Sequence, residues 1–435
     1  MQVDTVIHAK VVVPVEPRGV LNDHAVVVDR GRIVAVVPVA EARRSYEAKN
    51  NVTLDRHALI PGLVNLHCHA AMTLLRGIAD DMPLMTWLER HIWPAEARNV
   101  SEEFVHDGSL LGMAEMLRAG VTCVNDMYFF PEATARAALR IGMRASLGVI
   151  AIEFPSTYAP DAAGYLQKGL AARDAFRGEA TLSFCLAPHA PYTVGDEMLK
   201  RIAVLAEEID VPIHCHVHET RDEIAQGLAK DGVRPFERLR RLGVVGPRLI
   251  AVHAVHLEEA ELDVMAREGV SVAHCPSSNL KLASGIAPVA AMRARGIRVG
   301  LGTDGAASNN RLDLLTEART AALLAKAASG DAAAMPAIEA LEMATIQPAR
   351  ALGLEDRIGS IAIGKAADLA AVELSSLETL PCYDPVSHIV YAAGREHVTH
   401  VWINGRQRLD ERKLVDIDER GLEDKARWWQ KRLTA

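Results

Sequence analysis

The sequence lacks any segment that would place the protein in or across a membrane. No apolar run approaches the ~18 residues needed to span a bilayer. Residues 1–6 also lack the basic region and apolar core of a secretion signal. We therefore expect a cytoplasmic protein without a membrane partner.

The sequence also lacks blocks of charge of one sign. The formal net charge is −8 at pH 7, and no five or six like charges follow one another. This pattern offers no electrostatic case for binding nucleic acid or an anionic lipid surface.

Cysteine is scarce, with six in 435 residues. Scattered cysteines in apolar, strand-like stretches are typical of buried free thiols in a reducing compartment, so we expect no disulfides. Five of the six have such surroundings: Cys68, Cys123, Cys185, Cys215 and Cys275.

The central part of the chain has the pattern of repeated βα units. Short apolar runs rich in β-branched residues alternate with segments of helical periodicity from residue 59 to about 305. Eight parallel strands with intervening helices predict an α/β fold, a (β/α)8 TIM barrel. The strand candidates are 59–66, 121–127, 144–152, 181–188, 211–217, 249–257, 270–275 and 298–303. The helical candidates include 83–92, 101–119, 131–141, 195–208, 235–242, 258–268 and 289–295.

Two β-rich ends flank this pattern. Residues 1–58 and 360–409 alternate apolar and polar residues in short pieces broken by Gly and Asp. Each end is too small for its own core, so we expect both to pair in one small β-sandwich. The predicted organisation is a first sandwich part at 1–58, a barrel at 59–359, and a second sandwich part with a terminal helix at 360–435.

The most informative motif is the pair His67 and His69 at the end of the first predicted barrel strand. Residues two apart in a strand share a face, so both imidazoles can point at one cation. Alone, the pair is also compatible with two hydrogen-bonded structural histidines. The other strand ends favour the metal site.

Polar residues follow the other predicted strands at the end where barrel active sites form. They are His189 after strand four, His214, His216, His218 and Glu219 at strand five, His253 and His256 at strand six, His274 at strand seven, and Asp304 at strand eight. Imidazole and carboxylate ligands suit a divalent metal such as zinc, with ferrous iron as the alternative. The sequence therefore predicts a metal site at the barrel mouth.

His67, His69, one strand-five histidine and Asp304 form the candidate ligand set, and spacing alone does not select among the three strand-five histidines. A divalent cation activates water near neutral pH, and Asp304 can hold the water's proton. Glu219 is placed to act as general acid and base. Asp304 is alternatively a helix cap or turn residue. Strand four ends without a lysine to bridge two metals, which favours a single ion per subunit.

These residues resemble the amidohydrolase superfamily over nearly the whole chain. The similarity lies in PGLVNLHCH at 61–69, His216 with Glu219, His253, and Thr303-Asp304. Within that superfamily the chain resembles the deaminases of 5′-methylthioadenosine and S-adenosylhomocysteine. The motifs that carry this are PLMTWL at 83–88, IWPAE at 92–96, APHAPY at 187–192 and HCPSSN at 274–279.

The resemblance implies hydrolytic deamination at C6 of an adenosine-type nucleoside, with Glu219 protonating N1 and ammonia leaving. It selects His216 as the strand-five ligand. It further implies that His253 orients the attacking water, Glu96 binds the ribose hydroxyls, His189 contacts the nucleoside and Trp87 forms an apolar wall. By pattern alone, a core position is favoured for Trp87, and Glu96 is equally a helix-start residue.

One departure from the family concerns the amino-acid tail of S-adenosylhomocysteine. Some family members place an arginine after strand three, but none occurs here between Arg144 and Arg173. We therefore expect methylthioadenosine or adenosine to be the better substrate.

The alternative functions are a deaminase or dechlorinase for guanine-type purines or triazines, and a non-catalytic barrel scaffold. We also expect residues 79–94 to close over the substrate, and a homo-oligomer is compatible with a barrel of this size.

Overall fold

The computed structural model describes residues 1–434, which form two eight-stranded sheets with helices around one of them. The strands are β1 (Gln2–Val12), β2 (Leu21–Asp29), β3 (Arg32–Pro38), β4 (Glu47–Pro61), β5 (Leu63–Cys68), β6 (Val121–Asp126), β7 (Arg144–Ala151), β8 (Leu182–Pro188), β9 (Ile213–Val217), β10 (Leu249–His253), β11 (Ser271–His274), β12 (Arg298–Leu301), β13 (Leu369–Glu373), β14 (Val398–Ile403), β15 (Arg406–Asp410) and β16 (Lys413–Leu414).

Helices cover the connections between the strands. They are α1 (Val39–Ser45), α2 (Leu84–Trp87), α3 (Trp93–Asn99), α4 (Glu102–Arg118), α5 (Pro131–Ile141), α6 (Ala162–Ala175), α7 (Asp196–Glu208), α8 (Arg221–Asp231), α9 (Pro235–Arg241), α10 (Glu259–Glu268), α11 (Pro276–Lys281), α12 (Val289–Ala294), α13 (Ala306–Asn309), α14 (Leu314–Ser329), α15 (Ala337–Met343), α16 (Ile346–Ala351), α17 (Pro385–Tyr391) and α18 (Glu419–Leu433). Short 3-10 helices span Ala70–Leu75 and Arg395–His397, and a π turn spans Leu88–Ile92.

Strands β5 to β12 pair in parallel and in chain order. The last strand returns beside the first, where the Asp304 amide donates to the His67 carbonyl at 3.0 Å. Strands such as β6 and β7 are buried along their whole length, as expected of parallel strands that helices cover outside. The predicted (β/α)8 barrel is confirmed.

The first barrel strand begins later than the sequence pattern indicates. Residues 59–61 belong to β4 of the other sheet, and β5 starts at Leu63. Gly62 connects the two, and a Cβ there would lie 2.2 Å from Thr122 Oγ1. Only glycine therefore allows this close passage. The apolar run continues through the crossing because both sheets are buried there, which is why it reads as one strand.

The second sheet has the order β16-β15-β14-β13-β4-β1-β2-β3 and joins both ends of the chain. Strand β13 pairs antiparallel with the last residues of β4, and β1 pairs parallel with β4. The expected pairing of the two ends is confirmed, and its eight strands form one continuous sheet. The domain limits at 58/59 and 359/360 stay a prediction.

The two sheets are connected through a buried ion pair. Arg144 on β7 donates from Nε to Asp368 Oδ2 at 3.0 Å, and both side chains are almost completely buried. Asp368 Oδ1 also accepts the Asn404 amide at 2.7 Å. One carboxylate therefore holds a barrel strand and the turn before β15 together.

The chain ends in helix α18, which packs on the outside of the barrel. Trp429 is buried, its ring centroid lies 5.2 Å from that of Phe104, and its Nε1 donates to Asp107 Oδ2 at 2.9 Å. Across residues 1–434, no helix has the length and apolar character that would let it cross a bilayer.

Candidate active site

His67 and His69 meet Asp304 at the carboxyl end of the barrel. The Nε2 atoms of His67 and His69 lie 3.2 and 3.3 Å from Asp304 Oδ1. His67 is completely buried on β5, and His69 precedes the 3-10 helix that follows the strand. Alternation along β5 therefore places both imidazoles on one face, as the spacing predicts.

Asp304 is oriented by hydroxyl groups rather than by an opposing basic residue. Its Oδ2 accepts hydrogen bonds from Ser278 Oγ at 2.6 Å and Ser308 Oγ at 2.7 Å, and its Oδ1 accepts the Gly305 amide at 2.7 Å. Its backbone φ is 61°, a left-handed conformation that turns the side chain towards the histidines. Burial alone would raise the pKa of Asp304, but contact with His67 and the neighbouring imidazoles holds it well below its ordinary value.

Of the three strand-five histidines, His216 faces the cavity at the barrel mouth. Its ring stacks at 5.4 Å from His69 on one side and 5.4 Å from His253 on the other. The other two are engaged elsewhere. His214 Nε2 lies 3.0 Å from His67 Nδ1, and His218 Nε2 accepts the Phe236 amide at 3.0 Å.

The donor atoms fit a divalent cation. Ligand atoms of His67, His69 and Asp304 lie within 4.8 Å of one another, and so do those of His67, His216 and His253. His67 Nε2 is buried and makes no hydrogen bond to any described residue. Burial lowers the pKa of His67 to about 4, so its imidazole is neutral at pH 7 and has a free lone pair.

The Nδ1 atoms of the candidate ligands are held by backbone carbonyls. His69 Nδ1 donates to the Met127 carbonyl at 2.5 Å, and His216 Nδ1 donates to the His189 carbonyl at 2.7 Å. A proton on Nδ1 leaves the Nε2 lone pair free. This second layer of contacts is typical of histidine ligands of a metal and fixes both ring orientation and tautomer.

Glu219 lies beside this cluster without belonging to either group of close ligand atoms. Its Oε2 is 3.7 Å from His253 Nε2, and its Oε1 accepts Ser284 Oγ at 3.4 Å. Burial raises the pKa of Glu219 above its ordinary value, and raised carboxyl pKa values are typical of groups that transfer protons.

The backbone at Glu219 is anchored by a second, buried carboxylate. Glu223 accepts the amides of His218 at 2.9 Å and Glu219 at 2.8 Å. His218 has a positive φ of 54°, so the chain turns sharply before Glu219. Glu223 stabilises this turn by binding both amides that it exposes.

Trp87, Glu96 and His189 line the remaining wall of the same cavity. Trp87 is buried and donates from Nε1 to the Ala79 carbonyl at 3.1 Å. Burial raises the pKa of Glu96 to about 7, although a hydrogen bond from Tyr128 acts in the opposite direction.

His256 and His274, two further histidines at predicted strand ends, also lie outside the cavity lining. His256 Nε2 donates to the Ser284 carbonyl at 2.6 Å, and His274 is buried. His274 is the last residue of β11, so a position at a strand end does not by itself bring a side chain into the cavity wall. His253 and Ala254 have φ values of 67° and 49°, and this turn directs the chain away before His256.

Sequence reasoning missed several side chains that orient the site. Ser308 and Ser278 hold Asp304, Asn279 Oδ1 lies 2.8 Å from His253 Nδ1, and Tyr128 donates to Glu96. Tyr128 is the second residue after β6, so the rule that barrel sites form at strand carboxyl ends could have found it. Ser278 and Asn279 lie in the motif HCPSSN, which by itself indicates no partner for them, and Ser308 has no signal of either kind.

A parallel eight-stranded barrel with histidines and an aspartate converging at its carboxyl end defines a metal-dependent hydrolase of the barrel class. The chain belongs to the amidohydrolase family, whose family model matches residues 58–408.

Full-length relatives narrow this assignment. The chain is 44% identical over 434 residues to a protein of Teredinibacter turnerae named 5-methylthioadenosine/S-adenosylhomocysteine deaminase, covering 100% of this chain and 98% of the relative. A protein of Saccharophagus degradans with the same name is 44% identical over 99% of this chain and 97% of its own length.

Solved structures agree with the fold. An adenosine deaminase from Xanthomonas campestris with bound zinc superposes with a TM-score of 0.98 at 50% identity, covering 100% of this chain and 99% of that one. A zinc complex of atrazine chlorohydrolase from Arthrobacter aurescens gives a TM-score of 0.91 at 24% identity, covering 98% and 100% of the two chains. The second likeness shows the fold alone.

Proposed function

We propose that the protein is a metal-dependent deaminase that hydrolyses the 6-amino group of adenosine-type nucleosides and releases ammonia and the inosine form. The observation that carries this proposal is one cavity lined by two chemically different groups. Its lining includes the histidine and aspartate cluster with Glu219, and also the separate Glu96 carboxylate. The names of the full-length relatives support the same reaction.

We assign one divalent ion per subunit to His67, His69, His216 and Asp304, with zinc as the expected ion and ferrous iron as the alternative. The free Nε2 of His67 and the carbonyl-bound Nδ1 atoms of His69 and His216 support this set. The zinc in the Xanthomonas campestris structure supports the choice of ion. Such an ion supplies Lewis acidity, which makes water a nucleophile near neutral pH.

Glu219, His253 and Asp304 are the proposed catalytic residues. Glu219 gives its proton to N1 of the ring while water adds to C6, and Asp304 takes a proton from that water and passes it to the departing amine. The second water proton returns to Glu219. In the net reaction, N1 gains one proton and the leaving amine gains one, which balances the two protons of water. Both carboxyl groups return to their starting state. His253, 3.7 Å from Glu219, orients the water.

The remaining contacts position the nucleoside, and Glu219 and Asp304 also contact the reacting ring. Glu96 accepts hydrogen bonds from the vicinal ribose hydroxyls, His189 contacts the nucleoside, and Trp87 supplies an apolar wall. A carboxylate has lone pairs for two hydroxyl donors at once. A free ring has no ribose hydroxyls to donate to this carboxylate. Glu96 therefore favours nucleosides over guanine-type purines and triazines.

The cavity favours a substrate without a charged tail. Among its described lining residues there is no lysine or arginine, and apolar side chains such as Leu84, Leu88 and Phe154 lie on its wall. The homocysteine carboxylate of S-adenosylhomocysteine would lack a cationic partner there. We therefore propose 5′-methylthioadenosine and adenosine as better substrates than S-adenosylhomocysteine.

We also propose that the enzyme works in the cytoplasm on free nucleosides, without nucleic acid or membrane partners, and a homo-oligomer is compatible with the barrel. The six cysteines, all within residues 1–434, form no disulfide, which suits a reducing compartment. The net charge of −8 also disfavours polyanionic partners.

A substrate panel tests the proposed function. Metal-replete protein is assayed by ultraviolet absorbance with methylthioadenosine, S-adenosylhomocysteine, adenosine, adenine and guanine. We expect turnover of the nucleosides, weak activity on S-adenosylhomocysteine, and little on the free bases. Equal activity on adenine and adenosine would contradict the role of Glu96. No turnover of any of the five compounds would contradict the proposed nucleoside deaminase and leave only the assignment to the metal-dependent hydrolase class.

A further inference from the structure

The two residues after β6 contact both the histidine cluster and the Glu96 carboxylate. The Met127 carbonyl accepts the hydrogen bond from His69 Nδ1 at 2.5 Å, and the next residue, Tyr128, donates from its hydroxyl to Glu96 Oε1 at 2.6 Å. Two consecutive residues therefore link a candidate metal ligand with this carboxylate. The position of Glu96 relative to His69 depends on this short segment.

The segment is rigidly held. The Met127 amide donates to the Cys68 carbonyl at 2.9 Å, which extends the pairing of β5 and β6 by one residue. Tyr128 is buried, and its ring lies edge-on to Phe129 with centroids 5.2 Å apart. Phe130 follows with a φ of 52° and leads directly into Pro131 at the start of α5. The backbone pairing and the aromatic packing therefore fix the position of the Tyr128 hydroxyl.

Glu96 has little other support. Among the described residues, the Tyr128 hydroxyl is the one side chain that hydrogen-bonds its carboxylate. No lysine or arginine lines the cavity to pair with it. A glutamate side chain loses substantial rotamer entropy when it is fixed, and a single strong hydrogen bond decides which rotamer it adopts. With Oε1 held by Tyr128, Oε2 and the remaining lone pairs are left for donors in the cavity.

We propose that Tyr128 is the positioning residue for sugar recognition, holding the Glu96 carboxylate so that it meets both vicinal hydroxyls of a ribonucleoside while the ring reaches the histidine cluster. Tyr128 acts through Glu96 and does not itself take part in proton transfer. This inference rests on the proposed nucleoside deaminase function. It assigns selectivity between ribonucleosides and 2′-deoxyribonucleosides to the Tyr128–Glu96 pair.

The test compares adenosine with 2′-deoxyadenosine in the wild type and in Tyr128→Phe, which keeps the ring and removes the hydroxyl. We expect kcat/KM for adenosine to fall by roughly tenfold to a hundredfold, mainly through KM, the range for losing a hydrogen bond to a charged group. The activity ratio of adenosine to 2′-deoxyadenosine should fall about tenfold. Bound metal and the melting temperature should stay at the wild-type values.

A matched control is Tyr165→Phe. Tyr165 is a buried tyrosine in the same aromatic cluster, and its hydroxyl donates to the Phe154 carbonyl at 3.2 Å rather than to Glu96. Tyr165→Phe removes a buried tyrosine hydroxyl that donates to a neutral carbonyl, and it should leave the adenosine to 2′-deoxyadenosine ratio unchanged. A general loosening of the cluster would instead lower that ratio in both variants.

A double-mutant cycle with Glu96→Gln supplies the second measurement. If Tyr128 acts through Glu96, Tyr128→Phe adds no further loss in the Glu96→Gln background. The inference is overturned if Tyr128→Phe keeps the wild-type ratio, or if it causes the same fold loss in both backgrounds. A wild type that turns over no nucleoside overturns the proposed function itself, which distinguishes the two failures.

Discussion

Glu219 and His67 both lie at the carboxyl end of the barrel, but their side chains suit different chemistry. His67 is buried, neutral at pH 7, and presents an Nε2 atom without a hydrogen bond among the described residues. Glu219 has a raised pKa and lies outside the groups of close ligand atoms. One is suited to bind a cation and the other to move a proton, so substitutions at the two positions should have separable effects.

Glu219→Gln should keep the bound metal and lose nearly all turnover, because the amide cannot deliver a proton to N1. His67→Ala should lose both metal and turnover. Metal content by atomic absorption and the deamination rate are measured on the same preparations. An active Glu219→Gln variant would contradict the proton-transfer role.

Glu96 should make nucleoside selectivity depend on pH. Its pKa is raised by burial to about 7, so the carboxylate form, which accepts from both hydroxyls, becomes dominant as the pH rises above 7. We expect the kcat/KM ratio of adenosine to 2′-deoxyadenosine to rise several-fold between pH 6 and pH 8.

Glu96→Gln is the control for this pH dependence, because glutamine does not ionise in that range. Its selectivity ratio should be flat with pH. The same ratio in the wild type at pH 6 and pH 8 would show that Glu96 ionisation does not contribute to sugar recognition.

At the scale of single elements, residues 79–94 form the side of the cavity that we expect to close over the substrate. They contain α2 and the π turn Leu88–Ile92, and they end at the start of α3. Lys281 Nζ contacts Asp80 Oδ1 at 2.5 Å and the Ala307 carbonyl at 3.1 Å, which attaches one end of the segment to helices α11 and α13. Trp87, Leu88 and Ile92 face the cavity from this segment.

If the segment closes over the substrate, ligand should protect it from proteolysis. Arg90 is exposed and offers a trypsin site within the π turn. We expect limited trypsin digestion to cleave after Arg90 more slowly when the product nucleoside is present, as followed by mass spectrometry. Cleavage after the exposed Arg98 of α3, just outside the segment, provides an internal comparison. Unchanged cleavage at both sites would contradict closure.

Elements with strong local patterns could be predicted from the sequence, and their ends could not. The apolar run at 121–127 matches β6 within one residue, because the strand is buried along its whole length. The run at 249–257 ends in the structure at His253, where a positive φ turns the chain. Such a turn depends on the packing of the whole barrel mouth, so it left no signal in the apolar pattern.

The same division holds within the site. His67, His69, Glu219 and Asp304 could be singled out because strand ends and spacing bring them to one edge. Their orientation could not, because it depends on distant partners such as Ser278 and His214. The roles of these residues stay predictions until the variants are measured.

At the scale of the whole molecule, the barrel and the terminal sheet depend on the buried pair Arg144–Asp368. Asp368→Ala would leave the Arg144 guanidinium buried without its carboxylate, a loss that costs about 3–5 kcal/mol. We expect the urea midpoint of unfolding to fall accordingly, with the turnover of the folded enzyme at 25 °C unchanged because the pair lies outside the cavity lining.

Glu423→Ala removes an exposed partner of Arg427 and should leave the urea midpoint almost unchanged, as is usual for surface ion pairs. Equal stability of Asp368→Ala and Glu423→Ala would show that the Arg144–Asp368 pair does not hold the two sheets together.

The most direct test of the central claim is the product stoichiometry of metal-replete wild type with 5′-methylthioadenosine, measured beside Glu219→Gln at equal metal content. The account predicts one ammonia and one inosine-type nucleoside for each substrate consumed by the wild type, and almost none from the variant. Loss of methylthioadenosine without ammonia, or no turnover of any nucleoside by the wild type, would contradict it.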